Sequence, residues 1–543
     1  MSVVACTPTS TQAPIDGPPN VIDGQDIPST KSPSNGVSYQ ATGWLAKTLP
    51  EIRDGLAAGE VTSEEIVKAY LERIQSVDHA GPHLQSVLSI NPDAQNIART
   101  LDAKRAAGEV LGPLHGVPIV LKDNIESADP LPTTAGALAL QHNITERDSP
   151  LAQGLREAGA VILGKTNLSQ WANFRSTQSM SGWSALGGQV KNPHILNRNP
   201  CGSSSGSGAA AAASMAAGAV GTETNGSIIC PSTANGVVGF KPTVGLISQE
   251  HIVPISSTQD TAGPMTKTVT GSALMLGAMA SGEAKTDYVA ALDKESLSGA
   301  RIGVLRFAQG SNDEVIAHFN QALEDLKAAG AVLVDIENFE NSLAEFGALS
   351  GDLLRYEFKA TLNDYLASTD PTEVRPRNLT ELIAFNKDHA DVELALFGQE
   401  LFEQSVTYGA LSDAAYSEGQ VKVLKAVREE GIDRLLSEND LDVLVSPSGP
   451  IPGQIDPING DVWPAWAGAG WMAAVAGYPH LTVPMGEVHG LSAGLSFMGA
   501  RDTDAKILSF GYAYEQRTQH RLEPQYISNA SQREDIGRAM SRK

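Results

Sequence analysis

The stretch Gly221-Thr222-Glu223-Thr224-Asn225-Gly226-Ser227-Ile228-Ile229-Cys230-Pro231 puts a serine hydroxyl directly after a flexible turn. Successive backbone N–H groups in such a turn can converge on one point and form a nest for negative charge. Asn225 and Gly226 tolerate the unusual φ values that the turn needs. A serine whose own N–H faces the same point can attack a carbonyl and help hold the resulting oxyanion. A plain Gly-Ser turn has the same composition, so the rest of the chain must decide. A second hydroxyl cluster lies upstream in Cys201-Gly202-Ser203-Ser204-Ser205-Gly206-Ser207-Gly208, and Lys122 follows the apolar run Val117-Pro118-Ile119-Val120-Leu121. Lysine replaces histidine as a base only when it is neutral, and burial behind an apolar strand lowers its pKa by penalising the ammonium. Ser203 and Ser227 then supply hydroxyls that pass a proton between nucleophile and base, a variant of the triad logic. The competing picture buries only the Lys122 stem and lets its head reach solvent or Asp123.

The elements that would position these groups alternate strand and helix. Thr62-Ser63-Glu64-Glu65 offers an N-cap with acids in the first turn, and Ile66, Ala69, Tyr70 and Ile74 follow at helical spacing. Helices are also expected over 94–107 and 149–158, with strands over 117–121 and 161–164. The Gly/Ser loop passes into alanines at 209–213 and on to Ala217, which predicts a helix packed so tightly that only Ala and Gly fit. A flexible linker would not continue in this way. Later strands are expected over 301–305, 332–336 and 441–445, a strand pair over 481–484 and 495–497, and helices over 313–329 and 506–517. A mainly helical insertion covers about 343–438. Such alternation predicts an α/β body, one compact domain with a large insertion.

Composition narrows the function. The chain has 543 residues, 41% hydrophobic and 19% charged, the profile of a globular enzyme-sized body. Its 62 acidic against 39 basic residues give a net charge of −23, so its field repels phosphate backbones and anionic membrane surfaces, and no nucleic-acid partner is expected. The three cysteines, Cys6, Cys201 and Cys230, make no CxxC, and the close pair His79 and His83 is split by Gly81-Pro82. No metal site and no cofactor are expected, nor a transmembrane segment. Residues 1–38 are rich in Pro, Ser, Thr and Gly and read as a disordered leader. Val3-Val4-Ala5-Cys6 has the look of a lipoprotein cleavage box without the charged and apolar regions that should precede it, which would place the protein in the cell envelope if a signal peptide lies upstream.

The segment Gly116-Val117-Pro118-Ile119-Val120-Leu121-Lys122-Asp123-Asn124, the loop at 202–206 and the turn at 221–228 together resemble the amidase signature family of Ser-Ser-Lys hydrolases. The two serines, 24 positions apart, keep the family's spacing. The likeness extends to Gly164-Lys165-Thr166-Asn167-Leu168, Gly239-Phe240-Lys241-Pro242-Thr243 and Asp260-Thr261-Ala262-Gly263-Pro264, and it covers most of the chain after residue 40, with the signature core at about 110–270 of a domain over 39–543. It implies a mixed central sheet covered by helices, Ser227 as nucleophile, Lys122 as base, and Ser203 as bridging serine after a cis peptide. The backbone N–H groups of Thr224, Asn225, Gly226 and Ser227 would form the oxyanion hole. The implied reaction cleaves a primary carboxamide through an acyl-enzyme that water resolves.

Several positions depart from the common family pattern. Glu223 stands where aspartate is usual, Asn225 where glycine is usual and Ile229 where arginine is usual, and Cys201 and Ser205 replace glycines. The variant loops, with Trp171-Ala172-Asn173-Phe174-Arg175 and Ser181-Gly182-Trp183-Ser184, look most like bacterial peptide amidases, which implies a peptide-amide substrate. Cys201 and Cys230 are expected as small packing residues rather than a disulfide. Three alternatives remain open: a small aliphatic or aryl amide hydrolase, the glutamine-hydrolysing component of a tRNA-dependent amidotransferase, and a scaffold that kept only the fold.

Overall fold

Apolar side chains fill the strand Pro118–Lys122 until its last residue, and all five positions are buried. A strand covered on both faces reads as such a continuous run. In the computed structural model, which describes residues 38–541 except Pro464, this strand lies inside an eleven-stranded mixed sheet. The leader expected over 1–38, with Cys6, lies outside the described residues apart from Ser38. Across the sheet the strands run Val87–Ile90, Val161–Thr166, Pro118–Lys122, Gly218–Glu223, Thr261–Thr266, Val238–Lys241, His480–Val488, Leu491–Met498, Val443–Pro447, Arg301–Leu305 and Val332–Ile336. Pro118–Lys122 is parallel to both of its neighbours, with Leu121 opposite Lys165 on one side and Val220 on the other. The two strands that end in Lys122 and Glu223 therefore release their chains at one edge, where ligands collect in α/β sheets.

Local chemistry fixes the flanking helices. Thr62 caps Ser63–Arg73 by accepting from Glu65 N–H, and the Glu65 carboxylate returns the bond to the Thr62 N–H. Ser149 caps Pro150–Glu157 in the same sense. The alanine-rich helix is shorter than expected, ending at Ala212, and all eight of its residues are buried. Its glycines are obligatory: a Cβ on Gly206 would stand 2.3 Å from Ser86 O and 2.4 Å from Asn167 O. The chain then turns directly into the Gly218–Glu223 strand, which the glycines of that stretch conceal. Thr261–Thr266 is also a strand, an interior one despite Pro264.

The insertion is helical as expected, with Phe346–Ser368, Leu379–Asp388 and Ala414–Val427 its longest members. Phe358, Leu362, Leu366, Leu382 and Phe402 pack against Ala135, Ala137, Trp171 and Ile255, so it shares a core with the segments around the carboxyl edge of the sheet. Among the described residues no helix is long and apolar enough to cross a membrane.

Candidate functional site

Lys122 ends its strand with its ammonium group inside the protein. Its Nζ lies 2.8 Å from Ser203 Oγ, 2.8 Å from Thr222 Oγ1 and 3.3 Å from Thr222 O. Asn124 Nδ2 donates to the same Thr222 hydroxyl at 3.0 Å, which orients it. Burial pushes the lysine down to about 7, against the opposing pull of the Asp260 and then the Glu223 carboxylates. The picture of a lysine reaching Asp123 does not hold, because the Asp123 carboxylate accepts instead from the Thr134 N–H and hydroxyl.

Two other lysines are equally buried and differ in what they touch. Lys165 Nζ donates to Ile125 O at 2.6 Å and Thr133 Oγ1 at 2.8 Å, and Lys241 Nζ donates to Pro242 O at 3.1 Å. The carbonyl oxygen that Lys241 meets has no proton to give, and the hydroxyl that Lys165 meets belongs to Thr133, outside the serine loop. Of the three, Lys122 is the one that touches the serine loop.

Ser203 is fully buried and follows a cis Gly202–Ser203 peptide bond, as the resemblance implies. Ser204, to which the sequence gives no role, stitches the parts together. Its hydroxyl donates to Thr222 O at 3.0 Å and accepts from Thr222 N–H at 3.1 Å, and its N–H donates to Ser227 O at 3.2 Å. Ser227 thus sits on the turn beside Ser203, half-buried. Among the described residues its hydroxyl makes no hydrogen bond to Ser203; the side-chain contacts run from Lys122 to Ser203, and the Ser227 turn meets that loop through the Ser204 N–H bond to Ser227 O.

The turn itself is held open. Glu223 is buried, and its Oε2 accepts from Ile228 N–H at 2.7 Å and Ile229 N–H at 3.0 Å, spanning the loop from end to end. Gly226 takes φ 83°, where a side chain would be strained. Among the described residues the N–H groups of Asn225, Gly226 and Ser227 carry no protein hydrogen bond, which is what a nest for an oxyanion needs. Thr224 Oγ1 donates to Asp260 Oδ1 at 2.6 Å.

The cysteines require a correction. Cys201 and Cys230 form a disulfide with their Cα atoms 5.8 Å apart, within the range that such a bridge demands. Neither a CxxC nor any other short spacing signals it. The bond ties the residue two before Ser203 to the residue three after Ser227. Cys201 also adopts φ 56°, the region that suits the glycine usual at that place.

The Trp171-to-Arg175 motif proves to be architecture at the rim. Trp171, Ala172 and Asn173 take φ 51°, 52° and 69° in succession, a left-handed turn packed beside the Ser203 loop through Ser169 N–H donating to Ser203 O at 3.0 Å. Arg175 is fully buried, donates to the carbonyl and carboxylate of Glu393 and stacks 4.3 Å over Phe397. It anchors the insertion to the core.

A buried lysine in contact with serine at the carboxyl edge of a mixed sheet, beside a turn of unpaired N–H groups, is the construction of a hydrolase acting on amide bonds. The sequence model of the family described as Amidase matches residues 65–508, and the chain belongs to that family. The native peptide amidase of Stenotrophomonas maltophilia is 44% identical, with a TM-score of 0.82 over 88% of this chain and 98% of that one. An amidase family protein of Bacillus anthracis is 33% identical, with a TM-score of 0.78 over 88% and 92%. A glutamyl-tRNA(Gln) amidotransferase component from Halorhodospira halophila is 32% identical over 87% of this chain and 97% of its own.

Proposed function

We propose that the chain hydrolyses primary carboxamides, C-terminal peptide amides above all, with Ser227 as nucleophile, Ser203 as bridge and Lys122 as base. The observation that carries the reading is the 2.8 Å contact between a buried lysine and the Ser203 hydroxyl. Neutral Lys122 takes a proton from Ser203, which takes one from Ser227, and the Ser227 oxygen bonds to the amide carbon. Negative charge on the former carbonyl oxygen meets the N–H groups of the 225–227 turn. The proton returns through Ser203 to the nitrogen as the C–N bond breaks, releasing ammonia. Water, deprotonated along the same route, then releases the acid and restores Ser227. The mechanism requires the Ser227 hydroxyl to close onto Ser203 when substrate enters, as catalytic hydrogen bonds often do between free and occupied enzyme. The likeness to a peptide amidase supports the peptide-amide preference.

The test is ammonia release from a short peptide amide, its free acid, a simple aliphatic amide and glutamine. Release from the peptide amide with loss of activity in Ser227→Ala supports the reading, and inertness towards all four sinks it. The likeness to the amidotransferase component favours a second reading, glutamine hydrolysis within a complex, which requires turnover of glutamine over peptide amide.

A further inference from the structure

Glu357 lies on the insertion helix Phe346–Ser368, is fully buried and pairs with no cation among the described residues. Burying a carboxylate this way is costly unless hydrogen bonds surround it. Here they do: Ser256 Oγ donates to Oε2, Thr258 Oγ1 to Oε1 at 2.9 Å, Thr258 N–H to Oε2 at 3.3 Å and Tyr416 OH to Oε1 at 2.8 Å. Three of these four donors, from Ser256 and Thr258, belong to the segment that carries Asp260. Asp260 Oδ2 in turn accepts from Ile255 N–H at 2.8 Å and Ser256 N–H at 2.9 Å, while Oδ1 holds Thr224, the first residue of the N–H turn. Glu357, the 255–260 segment, Asp260 and Thr224 form one unbroken chain of hydrogen bonds from the insertion to the turn.

We propose that Glu357 is a positioning residue for that turn: it fixes Ser256 and Thr258, these place Asp260, and Asp260 places Thr224, so the insertion sets where the amide carbonyl is polarised. The inference rests on the role proposed for the N–H groups of residues 225–227, which directly follow Thr224. A glutamine at 357 has the same shape but turns an NH2 group towards donors, breaking the acceptor-only pattern. A residue that merely anchored the insertion would lower the melting temperature and leave turnover untouched well below it.

The experiment measures kcat and KM for a short peptide amide at 25 °C, with melting temperatures, in wild type, Glu357→Gln, Ser256→Ala and Tyr416→Phe. Glu357→Gln is expected to lose about tenfold in kcat with KM within about twofold, the mark of a misplaced reacting geometry. Ser256→Ala, which removes the link to the segment, falls in the same direction, and Tyr416→Phe falls less. A folded Glu357→Gln with wild-type kcat overturns the proposal. Where that variant does not fold, wild-type kcat in Ser256→Ala overturns it. A wild-type chain inert towards every amide instead sinks the proposed function, and this inference with it.

Discussion

Cys201 and Cys230 are bonded to each other across the two loops that carry Ser203 and Ser227. The bridge closes a sequence separation of 29 residues, for which chain-entropy arguments give about 3.6 kcal/mol of stabilisation. It also limits how far the two serines can part. The Cys201→Ser/Cys230→Ser double variant is expected to melt several degrees lower and to turn over more slowly with KM little changed, and a thiol reductant should reproduce the loss in wild type. Calorimetry and ammonia release before and after reduction check this. Equal melting temperature and equal rate in the reduced protein would refute it.

The pH dependence follows from Lys122. Burial lowers it to about 7, so it is neutral above that pH and protonated below. A base must be neutral to work, so kcat/KM should fall about tenfold per unit as pH drops below about 7 and level off above. Asp260 is pushed up to about 6, mainly by burial, so its negative charge is present where Lys122 titrates near 7 and favours the ammonium there, fading only as pH falls below about 6. Asp260→Asn removes the larger of the two opposing charges and leaves Glu223. Its acid limb should therefore move to lower pH, whatever happens to the plateau. A limb that stays put or moves up contradicts the assignment of Lys122.

Glu223 offers a stability test with an internal control. Glu223→Ala strands the buried N–H groups of Ile228 and Ile229, at a cost of about 2–6 kcal/mol for the pair. Glu223→Gln keeps an oxygen that can accept from both, so it should cost markedly less. Urea unfolding of the two variants distinguishes them, and equal losses would show that the carboxylate charge, rather than its acceptor geometry, holds the turn.

The sequence made Lys122 legible because five apolar residues in a row announce burial, and the serines because their loops are dense in glycine. The helical insertion and the strand pair of His480–Val488 with Leu491–Met498 were equally readable from periodicity. Other parts hid for physical reasons. The Gly218–Glu223 strand has Gly218, Ala219 and Gly221 among its six residues, Gly221 because Ser204 and the Met265 side chain press on it, so Val220 and Thr222 are too few to mark a strand. Among three adjacent serines nothing marks Ser204 as the one that binds Thr222. The disulfide depends on a fold that brings positions 201 and 230 together, and Glu357 on a helix meeting a loop about a hundred residues away, neither of which leaves a local pattern.

Arg175 and Glu393 are both fully buried, and each leans on more than the other. Glu393 also accepts from Leu138 N–H and Gln170 Nε2, both at 2.6 Å. Desolvation opposes the charge on each partner, lowering Arg175 to about 10 and raising Glu393. Arg175→Met leaves a buried carboxylate without its cation and should cost about 3–5 kcal/mol, whereas removing both charges in Arg175→Met/Glu393→Gln should cost less than the first change alone. The sign of the pH effect follows. A carboxyl whose pKa in the folded chain exceeds its unfolded value binds more protons when folded, so the penalty in Arg175→Met shrinks as pH falls through the folded value and is full above it. Urea unfolding of wild type, both single variants and the double variant at about pH 5 and pH 8 tests this. A double variant less stable than Arg175→Met at both pH values would show that the bonds from Leu138 and Gln170 to the Glu393 carboxylate outweigh relief of its unpaired charge.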